Sequence, residues 1–409
     1  MTKIRLKLMA NPIFRILVLL ALVGCKTGAE RPAPREKLQN QVTQLKQRLA
    51  PDRRTDRVEV DLERLVSDSL TGYTTVPEAD DRLSELARQY GLHNAVRLLP
   101  EPRYTDTFGL VRTSVANLRT RPGHSEELTS QALLGTPLEI MDQEAGWYLV
   151  RTPDRYLAYL EEGAFVRLDR AGMQHWFSRG LLTCGPAQSL VRERPLPVGR
   201  VVSEVVAGGL LRQNGPRKGD YLPVRLPDGR TGWMLAKDLY PYEQLARPVA
   251  TDSRQILRLA TEQSGKPYLW GGTSVKAMDC SGLTKTAYYL SGYVIPRDAS
   301  QQVQVGTEVS LTDGYAALQP GDLLFFGNLR DDGSERITHV GFYLNKGRFL
   351  HAGADNDYVT ENSLLEEDVD FAPHRKASLL RARRLQVGDR GVVPVGEAFE
   401  ALYTKSSRR

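Results

Sequence analysis

The sequence has 409 residues, of which 41% are hydrophobic and 25% charged, and this globular composition excludes a disordered or collagen-like polymer. At about 100 to 200 residues per domain, the length predicts two to four domains. The formal net charge is +6, but residues 1–24 hold four basic and no acidic residues, which leaves 6 − 4 = +2 on the rest. So small an excess excludes the field that binds nucleic acid, and we expect no nucleic-acid partner.

The amino terminus has the pattern of an export signal. A basic segment precedes the apolar run Ile16–Val23, which is too short to span a bilayer but long enough for a signal-peptide core. Leu22-Val23-Gly24-Cys25 follows and resembles the bacterial lipobox. We expect residues 1–24 to be a lipoprotein signal peptide and Cys25 to be acylated, anchoring the protein to a membrane of the bacterial cell envelope on its periplasmic or extracytoplasmic side. The alternative is an ordinary secretory signal with a chance cysteine.

Residues 25–100 are predicted to be a tether and a helical segment, and no chemistry is assigned to them. Arg31–Arg35 contains two prolines, which is typical of an extended tether. Apolar residues at positions 38, 42, 45 and 49 form one helical stripe. Asp80–Gly91 has the pattern of a second short helix that ends at its glycine.

Between residues 108 and 242 the sequence changes to short alternating segments separated by glycines and turn residues, which favours small β-barrels. Val150–Asp154 (VRTPD) recurs as Val224–Asp228 (VRLPD), 224 − 150 = 74 residues later, which indicates two copies of one module. Residues 101–172 and 173–246 resemble tandem bacterial SH3-like barrels, and Val115–Arg119 (VANLR) matches the opening strand of the first.

Residues 247–386 carry the candidate chemistry, beginning with Cys280. This cysteine stands at the start of a helix-like run that continues through Leu290. A helix N-terminus favours thiolate over thiol, so we expect a lowered thiol pKa and a nucleophile. A buried structural cysteine is the alternative. Cys184 is expected to be unpaired near the start of the second barrel.

Two histidines are candidates for the base that a nucleophilic thiol needs. Ile337–Leu344 reads as a strand, Asn345–Gly347 as a turn and Arg348–Gly353 as the returning strand. The hairpin brings His339 and His351 close together, so that one imidazole deprotonates the thiol and the second group fixes the ring of the first. A zinc site would need a compact ligand set such as CxxC with HxxxH, which the sequence lacks, and we expect no metal.

These residues lie in blocks that resemble the NlpC/P60 family of papain-like cell-wall cysteine peptidases. The resemblance implies an α+β papain-like domain behind two all-β SH3-like barrels, with the nucleophile on a helix and the histidines on an antiparallel sheet. The matching blocks, in order, are Tyr268-x-Trp270-Gly271-Gly272, Asp279-Cys280-Ser281-Gly282, Pro296-Arg297-Asp298-x-Ser300-Gln301, Leu318–Phe326, His339-Val340-Gly341 and His351-Ala352.

The resemblance implies hydrolysis of peptidoglycan stem peptides in cell-wall turnover or recycling. The bond broken would join γ-D-glutamate to meso-diaminopimelate or L-lysine. Cys280 would be the nucleophile, His339 the general base and His351 the orienting residue. The backbone N–H of Cys280 and the hydroxyl of Tyr268 would stabilise the oxyanion. No cofactor is implied, and we expect a monomer.

Family members with tandem SH3-like barrels resemble exopeptidase-style recyclers that bind the free amino group of an N-terminal L-alanine. The positions that match their pocket are Glu127 and Tyr156 of the first barrel and Asp279 beside the nucleophile, with Glu126, Ser281 and Asp298 as further lining candidates. A solvated loop and a barrel edge are the alternative readings for the barrel residues, and a helix N-cap for Asp279. The first barrel departs from the pattern at Tyr159, where such modules often have tryptophan.

Two other functions remain open on the sequence alone. One is an endopeptidase that cuts intact cross-linked peptidoglycan, and the other is a non-catalytic wall-binding lipoprotein. Residues 387–409 carry no recognisable pattern and are expected to be a mobile or loosely docked tail.

Overall fold

The computed structural model describes residues 34–66, 68–101, 107–248 and 253–404. In chain order these residues form a small α/β region, two β-barrels, and a domain in which helices pack on an antiparallel sheet. The expected fold class, two SH3-like barrels followed by an α+β domain, is confirmed. Within the described ranges no helix has the length and apolar character needed to cross a membrane. The predicted signal peptide and Cys25 lie outside these ranges.

The N-terminal region is a three-stranded sheet with two helices, which corrects the expectation of a purely helical segment. Residues 25–33, which include most of the predicted tether, lie outside the described ranges. Its elements are α1 (Pro34–Leu49), β1 (Val58–Val66), β2 (Ser69–Thr74), α2 (Pro77–Gln89) and β3 (His93–Leu98). Strand β2 pairs antiparallel with β1 and parallel with β3, with α2 as the crossover that parallel strands require. The predicted apolar stripe is confirmed, since Leu38, Val42 and Leu45 are buried in one cluster with Leu83 of α2.

The first barrel is a single antiparallel sheet. Its strands are β4 (Phe108–Val111), β5 (Val115–Arg119), β6 (Leu128–Leu133), β7 (Pro137–Glu144), β8 (Trp147–Arg151), β9 (Leu157–Glu161) and β10 (Phe165–Leu168). They follow the order β10-β4-β7-β8-β9-β5-β6, and alternate side chains such as Leu118 and Leu160 fill the interior. Helix α3 (Arg170–Trp176) follows and leads to the second barrel.

The second barrel repeats this plan. Its strands are β11 (Leu181–Cys184), β12 (Gln188–Arg192), β13 (Val201–Val206), β14 (Leu210–Gln213), β15 (Tyr221–Arg225), β16 (Thr231–Leu235) and β17 (Leu239–Pro241), and α4 (Tyr242–Ala246) follows. The repeat occupies equivalent turns, because VRTPD connects β8 to β9 and VRLPD connects β15 to β16. Cys184 is buried and free at the end of β11, which confirms its expected placement.

The domain that follows is built around a long helix on an antiparallel sheet. Its elements are α5 (Ser253–Thr261), β18 (Thr273–Ser274), β19 (Ala277–Met278), α6 (Cys280–Leu290), β20 (Tyr293–Val294), α7 (Ala299–Gln302), β21 (Thr307–Glu308), β22 (Leu323–Leu329), β23 (Glu335–Asn345), β24 (Arg348–Gly353), β25 (Tyr358–Ser363), α8 (Pro373–Ser378) and β26 (Leu379–Arg384). The sheet has the order β21-β26-β22-β23-β24-β25. Leu283 and Ala287 of α6 are buried with Val340 and Phe342 of β23.

Helix α6 also contacts both barrels. Lys285 makes an ion pair of 2.6 Å with Asp154 in the VRTPD turn of the first barrel. The hydroxyl of Tyr289 donates a hydrogen bond of 2.9 Å to the carbonyl oxygen of Gly208 in the second. The helix that begins at Cys280 is therefore attached to each of the three modules.

Residues 387–404 do not form a loose tail, which corrects the sequence-based expectation for this part of residues 387–409. The last five residues lie outside the described ranges. Strand β27 (Val393–Pro394) pairs with β20, and α9 (Val395–Thr404) packs where the barrels meet α6. Phe399 is buried and its ring lies against that of Tyr289. The apolar residues 395, 398, 399 and 402 recur at helical spacing and lie on one face, and this pattern could have predicted the helix.

Candidate active site

Cys280 is the first residue of α6, and Asp279 caps the helix. The Asp279 side chain accepts a hydrogen bond of 2.7 Å from the backbone N–H of Gly282, which satisfies one of the donors left free at a helix start. Position 282 has to be glycine, because a Cβ there would lie 2.0 Å from the carbonyl oxygen of Gly272. The close approach of these two segments fixes the helix start, at which Cys280 is 9% exposed.

The electrostatic surroundings of the thiol favour its neutral form. Burial raises the pKa of Cys280 to about 12, and the negative charge of Asp279 adds to this effect. Hydrogen bonds from the backbone N–H groups of Val340 and Ser281 act in the opposite direction but are outweighed. The expectation that the helix N-terminus lowers this pKa was therefore wrong. A neutral thiol needs a base before it can act as a nucleophile.

The two histidines come together as predicted. Strands β23 and β24 pair Phe342 with Leu350, and this register leaves His339 and His351 diagonal to each other. Nε2 of His339 lies 2.8 Å from Nδ1 of His351, and both rings are buried. Gly341 makes this approach possible, because a Cβ at that position would lie 3.1 Å from the Cβ of His351.

A chain of hydrogen bonds assigns the proton positions on both rings. Nε2 of His351 lies 2.9 Å from Oδ1 of Asn362, whose amide is oriented because its Nδ2 donates to the carbonyl oxygen of Asp370 at 3.1 Å. An amide oxygen only accepts, so the His351 Nε2 carries hydrogen and its Nδ1 accepts from the Nε2–H of His339. The remaining lone pair, on Nδ1 of His339, is then the available base. Asn362 was missed from the sequence, where it stands without a motif.

Burial keeps this pair of imidazoles neutral. It lowers the pKa of His351 to about 4 and that of His339 well below its ordinary value. The effect on His339 is strengthened by the neighbouring His351. A neutral imidazole whose second nitrogen is already hydrogen-bonded is oriented to accept a proton, which is the property a general base needs.

Tyr268 lies close enough to the thiol for the charges of Cys280 and Asp279 to act on its hydroxyl. Burial, and then those two charges, raise the pKa of Tyr268 to about 12. The hydroxyl therefore keeps its proton over the physiological range and is available as a hydrogen-bond donor beside the sulfur.

Asp279 is the centre of a second, fully buried cluster. Both of its oxygens accept hydrogen bonds from Arg297, at 3.1 and 2.6 Å, and Oδ2 also accepts from the backbone N–H of Gly271 at 2.9 Å. Arg297 donates a further bond of 2.9 Å to the hydroxyl of Ser281. Arg297 is 1% exposed, and a buried guanidinium of this kind is held by its carboxylate partner. The sequence reasoning named the block that contains Arg297 but assigned it no role.

The first barrel brings one predicted pocket residue deep into the junction and leaves another at its rim. Tyr156 is buried, and its hydroxyl lies 2.6 Å from that of Thr129. Glu127 is exposed and accepts a hydrogen bond of 2.7 Å from Nε1 of Trp270, which is itself 60% exposed. Glu126, its neighbour, is half-buried.

Asp298 directly precedes α7, and an arginine that the sequence analysis did not identify binds it. It caps α7 through reciprocal bonds with Gln301. Its Oδ2 accepts a hydrogen bond of 2.9 Å from Nη1 of Arg54, which also donates to Ser300 at 2.9 Å. Tyr156 is the barrel residue on which the charges of Asp298 and Arg54 act. Arg54 belongs to the region to which the sequence analysis assigned no chemistry.

Metal-binding geometry is absent from the part of the chain described here. Within those ranges, His, Cys, Asp and Glu side chains form no group of three or more that could hold a metal ion.

Two family models match the chain. The NlpC/P60 family model matches residues 265–370, which contain the thiol, both histidines and Tyr268. The model of the bacterial dipeptidyl-peptidase Sh3 domain matches residues 118–165, which contain Glu127 and Tyr156.

Curated relatives and solved structures agree with these matches. The chain is 29% identical over 265 residues to dipeptidyl-peptidase 6 of Lysinibacillus sphaericus, covering 63% of this chain and 92% of that protein. It is 26% identical over 245 residues to a gamma-D-glutamyl-L-lysine dipeptidyl-peptidase of Bacillus cereus, covering 56% of this chain and 68% of that protein. A solved NlpC/P60 family protein from Bacillus cereus has the same fold, with a TM-score of 0.58 and 22% identity over 68% of this chain and 99% of that one.

Proposed function

We propose that this chain, which carries an NlpC/P60 domain behind a bacterial dipeptidyl-peptidase SH3 domain, is a cysteine peptidase that cleaves between γ-D-glutamate and the diamino acid of peptidoglycan stem peptides. Its substrates carry a free amino-terminal L-alanine, and the diamino acid is meso-diaminopimelate or L-lysine. The observation that carries this proposal is the 2.8 Å contact between the rings of His339 and His351. His339 is next to Val340, whose backbone N–H forms a hydrogen bond with the Cys280 sulfur.

The proposed reaction begins with proton transfer. Nδ1 of His339 takes the thiol proton while the Cys280 sulfur attacks the γ-carbonyl carbon of glutamate. The carbonyl oxygen becomes an oxyanion, which the Tyr268 hydroxyl and the Cys280 backbone N–H stabilise. His339 then gives its proton to the leaving amine of the diamino acid, and the glutamyl group remains on sulfur as a thioester.

Deacylation repeats these steps with water. His339 removes a proton from the water, the hydroxide oxygen attacks the thioester carbon, and the sulfur leaves and takes the proton back from His339. The products are L-alanyl-γ-D-glutamate and the free diamino acid or the peptide that it begins. His351, held by Asn362, keeps the ring of His339 in the required tautomer in both halves of the reaction.

Charge at the domain junction supports the free amino terminus as the recognised group. An ammonium that enters a partly buried site needs carboxylate and hydroxyl partners. Asp298 and Tyr156 supply these within the junction, and Glu127 supplies a carboxylate at its rim. Asp279 adds negative charge behind them, although its oxygens already accept several hydrogen bonds.

The test is mass spectrometry of L-Ala-γ-D-Glu-meso-diaminopimelate, its L-lysine analogue and their N-acetylated forms after incubation with the full chain. Release of L-Ala-γ-D-Glu from the free-amine peptides only is the expected result. Cys280→Ala should abolish it, whereas Cys184→Ala, which removes the second buried free cysteine of the described residues, should not. Equal cleavage of the acetylated peptides would indicate an endopeptidase of intact wall, and no cleavage of any peptide would indicate a wall-binding protein.

We also propose that the protein is a membrane-anchored lipoprotein of the cell envelope. The support is the sequence alone, namely a basic segment, a short apolar run and a lipobox that ends at Cys25. Labelling of cells with an alkynyl fatty acid should mark the wild-type protein and not Cys25→Ala. Equal labelling of both proteins would contradict the assignment of the anchor to this cysteine.

A further inference from the structure

The loop of residues 52–57, which connects α1 to β1, is inserted where the first barrel meets the NlpC/P60 domain. The backbone N–H of Leu157 donates a hydrogen bond of 2.6 Å to the carbonyl oxygen of Arg54. Arg57 donates back to the carbonyl oxygen of Leu157 at 3.0 Å, and its guanidinium lies 5.9 Å from the centre of the Tyr159 ring. The loop is thus bound to the strand that begins directly after Tyr156.

The same loop contacts the NlpC/P60 domain through the Arg54 guanidinium and the Asp52 carboxylate. Nη1 of Arg54 donates to Asp298 and to Ser300, both at 2.9 Å. Its Nε and Nη2 donate to the two oxygens of Asp52 at 2.7 and 2.9 Å. Asp52 in turn accepts a bond of 2.7 Å from the side chain of Gln301, which helps Asp298 to cap α7. The Arg54 guanidinium is therefore held in one orientation from both sides.

The charges in this network are unequal, and the imbalance has the sign that a substrate ammonium needs. The connected side chains are the carboxylates of Asp52, Asp279 and Asp298 and the guanidiniums of Arg54 and Arg297. Three negative and two positive charges leave 3 − 2 = 1 negative charge in this partly buried network. One cation bound at the junction would neutralise this negative charge, because a buried charge is stable when it is paired with a charge of opposite sign.

We infer that Arg54 is a positioning residue that holds the Asp298 carboxylate for the amino-terminal ammonium of the substrate, and that Asp52, Arg54 and Arg57 of this loop form the third wall of this pocket. The N-terminal region is then part of the specificity machinery, beside the first barrel and the NlpC/P60 domain. The inference rests on the proposed function, because it deepens the account of the same pocket. In this position the loop also closes the pocket beyond the L-alanine. A stem peptide still joined to a glycan strand would extend into the space that the loop occupies.

The test compares Arg54→Ala with Arg53→Ala in the full chain on free-amine L-Ala-γ-D-Glu-meso-diaminopimelate. Arg53 is a matched control, since it neighbours Arg54, is 69% exposed and pairs with Glu59 away from the junction. We expect Arg54→Ala to raise KM about tenfold with kcat within about twofold, because misplacement of a binding group weakens binding before it affects the chemistry. Arg53→Ala should leave both constants unchanged.

The outcomes separate this inference from the proposed function. If the wild-type chain fails to cleave the peptide, the proposed function is wrong. If the wild type cleaves it and Arg54→Ala has the wild-type KM, the role of Arg54 is overturned. Should Arg54→Ala fail to fold, Arg54→Lys serves instead, since it keeps a charge near Asp298 without the bonds to Asp52 and Ser300. An unchanged KM in this variant also overturns the role, and a raised KM at constant kcat supports it.

Discussion

The two barrels contain corresponding loops that have the same closing hydrogen bonds but different side chains. Residues 120–127 connect β5 to β6, and residues 193–200 connect β12 to β13. Each loop is closed by a backbone bond between its first and last residues, Thr120 to Glu127 at 3.1 Å and Glu193 to Arg200 at 2.9 Å. The arginine before each loop, Arg119 or Arg192, also donates to a carbonyl oxygen within it. The backbone frame is therefore shared.

The side chains on this frame differ. The first loop ends in Glu126 and Glu127 and reaches Trp270 of the NlpC/P60 domain. In the second, Arg200 takes the place of Glu127, and Val198 at the tip is 90% exposed. The difference teaches that duplication supplied a stable scaffold twice, whereas the proposed function depends on which copy places its loop against the NlpC/P60 domain and on the side chains of that loop.

Exchange of the two loops is expected to have the largest effect on activity. Replacing residues 120–127 with the sequence of 193–200 puts a positive charge where Glu127 stands, and the shared closing bonds should preserve the fold. We expect kcat/KM for free-amine peptides to fall at least about 100-fold, because attraction for the ammonium becomes repulsion. The reverse exchange in the second barrel should leave kcat/KM at the wild-type level. Equal losses in both chimaeras would contradict the assignment of the first loop to the pocket.

The equivalent aspartates of the two VRxPD turns should differ in their importance for stability. Burial would raise the pKa of Asp154, but the charge and hydrogen bond of Lys285 hold it below its ordinary value. Lys285→Met leaves that carboxylate buried without its partner and should cost about 3 to 5 kcal/mol of unfolding free energy. Asp228→Asn in the second barrel weakens a pair with the more exposed Arg230 and should cost about 1 kcal/mol. Denaturant unfolding measures both, and equal costs would refute the difference.

Single-residue changes should sharpen the comparison of the loops. Glu127→Gln keeps the shape of the side chain but removes its charge, and should raise KM for free-amine peptides about tenfold, the value of one charge-assisted contact. Arg200→Gln, at the equivalent position, should not change KM. Steady-state kinetics on one substrate suffice, and a change in kcat rather than KM for Glu127→Gln would show a role other than binding.

The pH profile should distinguish the base from the ammonium pocket. Burial lowers the pKa of His339 below its ordinary value and that of His351 to about 4, so the base stays neutral and kcat/KM should change less than about threefold from pH 7 to about pH 5. Above about pH 8 the α-amino group of the substrate loses its proton and kcat/KM should fall. Glu127→Gln should flatten this alkaline fall. An acid limb near pH 6.5 would show that the histidines titrate normally.

The smallest effect is expected at the tip of the second loop. Val198→Ser changes a residue that is 90% exposed. It should change kcat/KM by less than about twofold and the unfolding free energy by less than about 0.5 kcal/mol. A larger loss of activity would give the second loop a part in catalysis and remove the contrast between the barrels.

Local patterns accounted for the parts of the structure that local forces determine. The helix at Cys280, the hairpin with His339 and His351, and the two barrels follow from periodicity, turn residues and repetition within short windows of sequence. Strand β3 was missed because it pairs in parallel with β2 across a helix and has no partner adjacent in the sequence. Strands β1 and β2 are adjacent in the sequence and pair antiparallel, but the sequence analysis did not interpret them.

Long-range contacts accounted for what the sequence did not predict. Arg54 meets Asp298, 298 − 54 = 244 residues away, and no feature near either residue announces the pair. The pKa of Cys280 was predicted in the wrong direction because the helix start is a local property, whereas the burial that dominates it depends on the whole fold. Helix α9 differs from these two cases. Its apolar residues recur at helical spacing in the sequence, but the pattern was not interpreted.

The attachment of α6 to both barrels limits how this architecture can be inherited. Along the helix, Lys285 lies about 7.5 Å and Tyr289 about 13.5 Å beyond Cys280, at 1.5 Å per residue, and each is bonded to a different barrel. A recombination event that exchanged one barrel for a foreign one would have to keep its contact at the matching height on this helix. The three modules are therefore expected to descend together as one unit rather than to be shuffled separately.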